Sequence, residues 1–161
     1  MEIRIRPVRD DEIDDLVRLS LAAWAPVFDS FARVLGAEIY ARLYPDWRAG
    51  QRATVEEVCR HREHRFVWVA DLDGRAVGFV AYAVSTDDGV GEVELLAVDP
   101  GVQDRGIGTE LNTFALGKMK EHGMRLAVAA TGGDPGHAPA RRSYEKAGYV
   151  ALPLARYYKA L

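Results

Sequence analysis

A single cysteine, Cys59, stands among the 161 residues. No disulfide can close within the chain, and a reducing compartment suits it. On its apolar-periodic stretch Cys59 reads as a small buried hydrophobe of a helix rather than a nucleophile. Only 4 histidines are present, and His61, His64 and His122 fall at no ligand spacing, so no metal centre is expected. Long apolar runs are missing too. No window approaches the roughly 18 uninterrupted apolar residues of a membrane span. The opening MEIRIRPV alternates charged with apolar side chains instead of forming an apolar leader. A cytoplasmic protein is expected. There is no basic excess either. Lys and Arg total 21 against 24 Asp and Glu, for a net charge of -3. That balance creates no positive field for nucleic acid or an anionic membrane, and it permits a cationic substrate.

What is present fits one compact domain spanning residues 1–161, with no repeat and no linker. Ile3, Ile5 and Pro7 open an alternating strand. Asp10 is a candidate N-cap for a helix with Ile13, Leu16, Val17, Leu21 and Trp24 on one face. Pro26 should break that helix or start the next, which carries Val27, Phe31, Val34 and Leu35 and continues past Gly36 to Ile39 and Leu43. Thr54 and Glu57 have capping-box spacing for a further helix through Val58 and Cys59. The period then changes. Strands are expected at 66–70, 77–84 (after the Asp73-Gly74 turn) and 90–98, forming an antiparallel meander. A helix with Ile107, Leu111, Ala115 and Met119 on one face ends near Gly123. The continuously apolar stretch 126–130 then makes a strand parallel to 90–98. A loop from Thr131 to Pro139, a helix containing Tyr144, and a final strand or strands holding Tyr149, Val150 and Tyr157 complete a mixed α/β fold.

The segment Gln103-Asp104-Arg105-Gly106-Ile107-Gly108 lies between a strand and a helix. A helix N-terminus leaves backbone N–H groups unpaired and carries about half a positive charge. Glycines let a diphosphate approach those donors. A Walker loop fails here, because Gly106 is followed by Ile107 and Gly108 rather than Lys and Ser or Thr. A dinucleotide fingerprint fails because Leu111 stands where a third small residue is needed.

The segment resembles the pyrophosphate loop of the GNAT family of N-acetyltransferases: Gln or Arg, two residues, Gly, one residue, then Gly or Ala. The resemblance covers most of the chain from residue 66 onward. It implies a single domain with a mixed, mostly antiparallel central sheet, a parallel splayed strand pair and flanking helices. Residues 90–149 would form the acetyl-CoA-binding core and residues 20–62 a helical acceptor-side region. Leu96, Ala97 and Val98 would offer backbone groups to the pantetheine arm. Gln103, Asp104, Arg105, Gly106, Ile107, Gly108 and Thr109 would hold the pyrophosphate. His137 departs from the pattern: the family often has Asn there, seven residues before a Tyr, contacting the cofactor arm; the resemblance implies that His137 makes a similar polar contact to the cofactor, or else that the loop is rearranged.

That Tyr is Tyr144, in a segment from Ala140 to Tyr149 that resembles the family's A-x-x-x-Y-x-x-x-G-[FY] pattern. The resemblance makes it the acid for the leaving thiolate. A phenol with a pKa of about 10 suits a thiolate near 8.5. For the base, Glu92 and Glu94 alternate along one strand and should share a face. Glu94, nearer the bulge expected in the family, is the first choice. The function so implied is acetyl transfer from acetyl-CoA to a primary amine by direct attack in a ternary complex, most simply on a small molecule. A peptide or protein N-terminal acetyltransferase and a non-catalytic acyl-CoA-binding module remain as alternatives. The aromatic residues Trp24, Phe28, Phe31, Tyr40, Tyr44 and Trp47 either close over a small acceptor or form core. The resemblance also admits a homodimer.

Overall fold

The computed structural model describes residues 2–161; Met1 lies outside the described residues. Five strands form one sheet in sequence order: β1 (Arg4–Pro7), β2 (Arg65–Leu72), β3 (Arg75–Ser85), β4 (Val90–Val98) and β5 (Leu126–Ala129). The first four pair antiparallel, and β4 pairs parallel with β5. This is the mixed α/β sheet expected from the meander and the following strand–helix–strand pattern. Among the described residues no helix is long and apolar enough to cross a membrane.

The helices are α1 (Ile13–Leu35), α2 (Ala37–Leu43), α3 (Trp47–Arg60), α4 (Ile107–Glu121) and α5 (Ala138–Lys146). Leu16 and Val17 of α1 meet Val55, Val58 and Cys59 of α3 and the inward side chains Val67, Val69, Phe79 and Ala81. Ile107, Leu111, Ala115 and Met119 of α4 cover the opposite sheet face, meeting Val80, Tyr82 and Val93. A sheet covered on both faces explains the near-continuous apolar runs of its central strands. Cys59 is fully buried in the first of these layers. Burial pushes its thiol up to about 11, which leaves it un-ionised and inert at neutral pH.

Several local expectations are corrected. α1 runs through Pro26 without a break. A proline removes one helical hydrogen bond, but Leu19 and Ser20 before it and Val27 and Phe28 after it are buried, so packing carries the helix across the gap. Asp10 does not cap α1 but begins a 3-10 turn, Asp10–Glu12. α3 starts at Trp47, seven residues before the expected capping box. Its cap is Asp46, whose side chain accepts from the Ala49 N–H at 3.1 Å. Thr54 instead donates to the Gly50 carbonyl at 3.0 Å inside the helix, a common use of a mid-helix hydroxyl. Beyond α5 no strand forms. Residues 149–161 run without ladder partners. Val150, Leu152, Leu154 and Tyr157 remain exposed, and Pro153 in their midst lacks the N–H that a ladder needs.

The first strand is tied to the first helix by ions. The Arg6 guanidinium donates to both Glu12 oxygens at 2.7 and 2.9 Å and to Asp71 at 2.8 Å. Burial pushes the Glu12 carboxyl up, but the hydrogen bonds from Arg6 and the Arg9 backbone prevail and leave it lowered. The Arg6 hydrogen bond likewise lowers Asp71. Groups with depressed folded-state pKa values stabilise above their unfolded values and lose that contribution as pH falls through the folded ones. Replacing Arg6 by Leu leaves Asp71 without its ion-pair partner and Glu12 with only the exposed Arg9, 3.3 Å away, and should cost about 3–5 kcal/mol, read by urea denaturation at neutral pH. The deficit should shrink as pH is lowered below about 4, where the unfolded carboxyls take up protons.

Candidate active site

The site begins with a fault in β4. Its register on β3 passes from Leu95 opposite Ala81 to Val93 opposite Tyr82, so Glu94 has no partner residue. This β-bulge reverses the alternation of side chains. Val93 packs in the α4 layer and Leu95, two positions on, in the α1 and α3 layer. The reversal comes after Glu94: Glu92 stands in one row with Ala83 and Arg65, and Glu94 reaches the same Arg65, so the two carboxylates share a face as the alternation expects. Glu92 is exposed. Glu94 is half-buried, and its Oε1 accepts from Arg65 Nε at 3.0 Å. Arg65 also lies 3.5 Å from Glu57 of α3.

Below the bulge β4 keeps β5 as a neighbour, from Val90 opposite Leu126 to Val93 opposite Ala129. Above it that pairing stops, while β3 stays paired with β4 through Gly78 opposite Val98. Leu96, Ala97 and Val98 thus line an edge that has lost its neighbour. Ala97 is buried, and Leu96 and Val98 are half-buried.

At the open end the chain turns through a short 3-10 segment, Pro100–Val102, into α4. The Gln103 side chain turns back to donate to the Val98 carbonyl at 3.0 Å. Asp104 and Gly106 both take left-handed backbone, with φ of 62° and 80°. Such alternation aims successive N–H groups into one concavity. Glu110 N–H makes a helical bond to the Gly106 carbonyl at 2.9 Å, and the donors of the turn before it are those a helix start leaves orphaned. The two glycines differ. A side chain at Gly106 would point into open space, whereas one at Gly108 would meet Ser143 Oγ at 3.3 Å. Gly106 therefore keeps the loop open, and Gly108 lets α4 approach α5. Ile107 between them is buried and anchors the helix start. Arg105 is exposed and Thr109 half-buried.

Asn112 of α4 donates to Ser143 of α5 at 2.9 Å, completing the contact between the helices. Next to Ser143, Tyr144 packs edge-on against Tyr149 with ring centroids 5.4 Å apart. Burial, then the neighbouring Tyr149, pushes the Tyr144 phenol up to about 12. It is a weaker acid than a free phenol, and it holds its proton throughout the neutral range.

His137 departs most from a loop histidine's ordinary exposure. It is buried, with Nδ1 at 2.5 Å from Asp134 Oδ1. The other Asp134 oxygen accepts from Ser30 Oγ of α1 at 2.5 Å, and Ser30 in turn accepts from the Gly136 N–H at 3.0 Å. Arg141 of α5 donates to the Gly132 and Asp134 carbonyls, each at 2.7 Å. The His137 ring meets Trp24 at 6.0 Å and Phe31 at 5.3 Å. Phe31 stacks on Tyr44 and Phe28 on Trp47, and Tyr40 adjoins Tyr44. The aromatic residues of α1, α2 and α3 thus form one cluster with His137 at its end. Asp134, Ser30 and Arg141 were not singled out as a group by their spacing. An Asp three residues before a His in a glycine-rich run was the available local signal; Ser30, more than a hundred residues away, had none.

A family model described as the acetyltransferase (GNAT) family matches residues 34–149. The mycothiol acetyltransferase of Streptomyces avermitilis is 33% identical over 83 residues, which are 52% of this chain and 26% of that protein. The chain thus spans about a quarter of the length of that curated relative. Among solved structures, the PaiA N-acetyltransferase of Thermoplasma acidophilum, in complex with coenzyme A, superposes with a TM-score of 0.73. It is 18% identical, with 96% of this chain and 94% of that one covered. The aminoglycoside acetyltransferase AAC(6')-Iy, bound to a bisubstrate analogue of coenzyme A and an acetylneamine, superposes at 0.66. It is 19% identical, with coverage of 100% and 99%.

Arg141 carries the loop before α5 through two charge-assisted bonds. Arg141→Met should cost about 1.5–3 kcal/mol, measured as a shift of the urea midpoint at unchanged slope.

Proposed function

The chain belongs to the GNAT family of acetyltransferases, and from that premise we propose that it transfers an acetyl group from acetyl-CoA to a primary amine by direct attack. The observation that carries this reading is the junction of β4 and α4. A strand edge without a neighbour leads into a loop whose left-handed Asp104 and Gly106 open onto a helix start. Leu96, Ala97 and Val98 would pair with the pantetheine arm as a neighbouring strand would. Gln103 to Thr109 would cradle the pyrophosphate with backbone donors. Residues 90–149 are then the cofactor half of the domain and residues 20–62 the acceptor half. Acetyl-CoA would supply the acyl group already activated as a thioester.

The remaining demands fall on protein groups. A backbone N–H released at the Glu94 bulge would face the carbonyl oxygen as it gains charge; donors of this kind are worth roughly 2.7–4 kcal/mol. Tyr144 would hold a proton at Oη toward the departing sulfur. With its phenol at about 12, it acts chiefly by donating a hydrogen bond while the carbon–sulfur bond breaks. The half-buried rings of Trp24, Phe31, Tyr44 and Trp47 suit a small cationic amine, which aromatic faces attract.

Calorimetry with acetyl-CoA tests the first half of this reading. The wild type should bind tightly. Gly106→Glu should abolish binding, because it puts a side chain and a negative charge where the pyrophosphate lies and demands a left-handed backbone. No binding by the wild type would overturn the acetyl-CoA assignment. A panel of benzylamine, phenethylamine and sisomicin, followed by release of free thiol, tests the second half. Turnover separates a transferase from a binding module. Tyr144→Phe should lower kcat by about 10²-fold or more while acetyl-CoA affinity is kept. The wild-type kcat should show no alkaline fall from this phenol until pH approaches about 12.

A further inference from the structure

The run Gly132-Gly133-Asp134-Pro135-Gly136-His137 is built around one side-chain pair. A Cβ at Gly132 would lie 2.3 Å from Asp134 Oδ1 and 2.6 Å from His137 Nδ1. One at Gly136 would lie 2.6 Å from Ser30 Cβ and 3.1 Å from Asp134 Oδ2. Real Cβ atoms do not tolerate such distances from fixed neighbours. These two glycines therefore make room for the Asp134–His137 contact and for its support by Ser30. With Arg141 clamping the carbonyls of Gly132 and Asp134, the pair is held from three sides. Ser30 is not a nucleophile in this arrangement, since it donates to Asp134 and not to the histidine.

The tautomer follows from the partners. An ionised carboxylate can only accept, so Nδ1 of His137 carries the hydrogen, and in the neutral ring Nε2 keeps its lone pair. Asp134 is ionised. Burial pushes its carboxyl up, but the hydrogen bonds from Ser30 and His137 prevail and leave it lowered. Among the described residues Nε2 has no hydrogen-bond partner, and its ring is flanked by Trp24 and Phe31. The groups facing the histidine are the α1 rings and Ser30, Asp134 from its own loop, and the α5 guanidinium of Arg141 turned to backbone carbonyls. Glu94, the other candidate base, is paired with Arg65 instead. His137 ends the 3-10 turn that leads directly into α5, the helix that carries Tyr144.

We propose that His137, oriented by Asp134, is the general base that takes the proton from the acceptor ammonium at the aromatic face of α1 and α2. The assignment rests on the transferase reading above. An amine drawn in as a cation cannot attack until it gives up a proton. One N–H bond of the ammonium breaks, its electron pair stays on nitrogen, and the proton moves to Nε2. The nitrogen pair then forms the carbon–nitrogen bond while the carbon–sulfur pair leaves with sulfur. The nitrogen's second proton balances the one the sulfur takes up beside Tyr144. The proton on His137 passes to solvent, and Asp134 stabilises the imidazolium in the interval. Asp134 is a positioning residue that acts through His137.

Three readouts test this. Nitrogen-15 NMR of the wild type should find the His137 proton on Nδ1 with Nε2 bare; a proton resident on Nε2 overturns the proposal, whether or not any variant folds. For His137→Gln, kcat/KM toward benzylamine should fall by about 10²–10⁴-fold and lose its acid limb. The loss toward O-benzylhydroxylamine, neutral at pH 7 and needing no base, should stay under about tenfold. Calorimetric affinity for acetyl-CoA should change less than about twofold. Equal losses toward both acceptors, or a loss matched by weaker acetyl-CoA binding, would assign His137 to the cofactor arm and overturn the base. Asp134→Asn should shift the NMR tautomer and show a smaller loss with the same dependence on acceptor. A wild type that transfers to no amine of the panel overturns the transferase reading and this assignment with it. One that transfers, with an unchanged acid limb in His137→Gln, overturns this assignment alone.

Discussion

Strand β4 cannot stay in register with both neighbours along its whole length, and the rest of the site is arranged around that failure. The extra residue at Glu94 reverses the alternation of β4, and β5 stops pairing at Val93. A bulge sharpens the twist of its strand and re-aims the residues beyond it. Here it separates β4 from β5, whose backbone groups would otherwise satisfy one another. A strand edge left in this way has donors and acceptors still to be used. The loop from Gln103 to Gly108 opens at the mouth of the same gap.

The two halves of the domain meet this gap with different chemistry. The α4 side is backbone-rich: orphaned helix donors, a left-handed glycine and a glutamine side chain holding the Val98 carbonyl. It suits a polyanion whatever the side chains around it. The α1–α3 side is ring-rich, with one imidazole among the aromatic faces. Buried ties hold this arrangement. Gln51 donates to Ser20 at 2.8 Å within the α1–α3 side, and Ser30 joins that side to the loop before α5 through Asp134. Such contacts matter because a general base and a leaving-group acid act only when held within hydrogen-bond reach of the same reacting atoms.

The phenol of Tyr144 and the carboxyl of Asp134 show how one effect, burial, ends in opposite outcomes. For Tyr144 burial stands almost alone, and the phenol rises to about 12. For Asp134 burial is opposed by two short hydrogen bonds, and the carboxyl falls. Donors aimed at a charged form reverse the direction that desolvation alone would dictate. No property of an isolated Tyr or Asp in the sequence distinguishes these cases.

Much was nonetheless determined by sequence alone. Apolar periodicity and turn residues specified the meander, the α4 crossover and the position of the glycine-containing loop before α4, because strand period, helix period and glycine placement are local properties of the chain. The sequence by itself misplaced the start of α3, since Asp46 and Thr54 both have side chains able to cap and only packing selects one. It also expected a break at Pro26 that burial on either side overrides, and strands after Tyr149 that find no ladder. A bulge in β4 was expected by resemblance near Leu96 to Val98, and the structure places it at Glu94. Its consequences, the pairing of Glu94 with Arg65 and the loss of β5 beyond Val93, required the register of β4 against its neighbours. Tertiary structure alone decided the surroundings of His137: Asp134 three residues away, Ser30 from α1, and rings from a distant helix. Hydrogen bonds between residues more than a hundred positions apart leave no mark on local spacing, so this region of the site became visible only when the chain was folded.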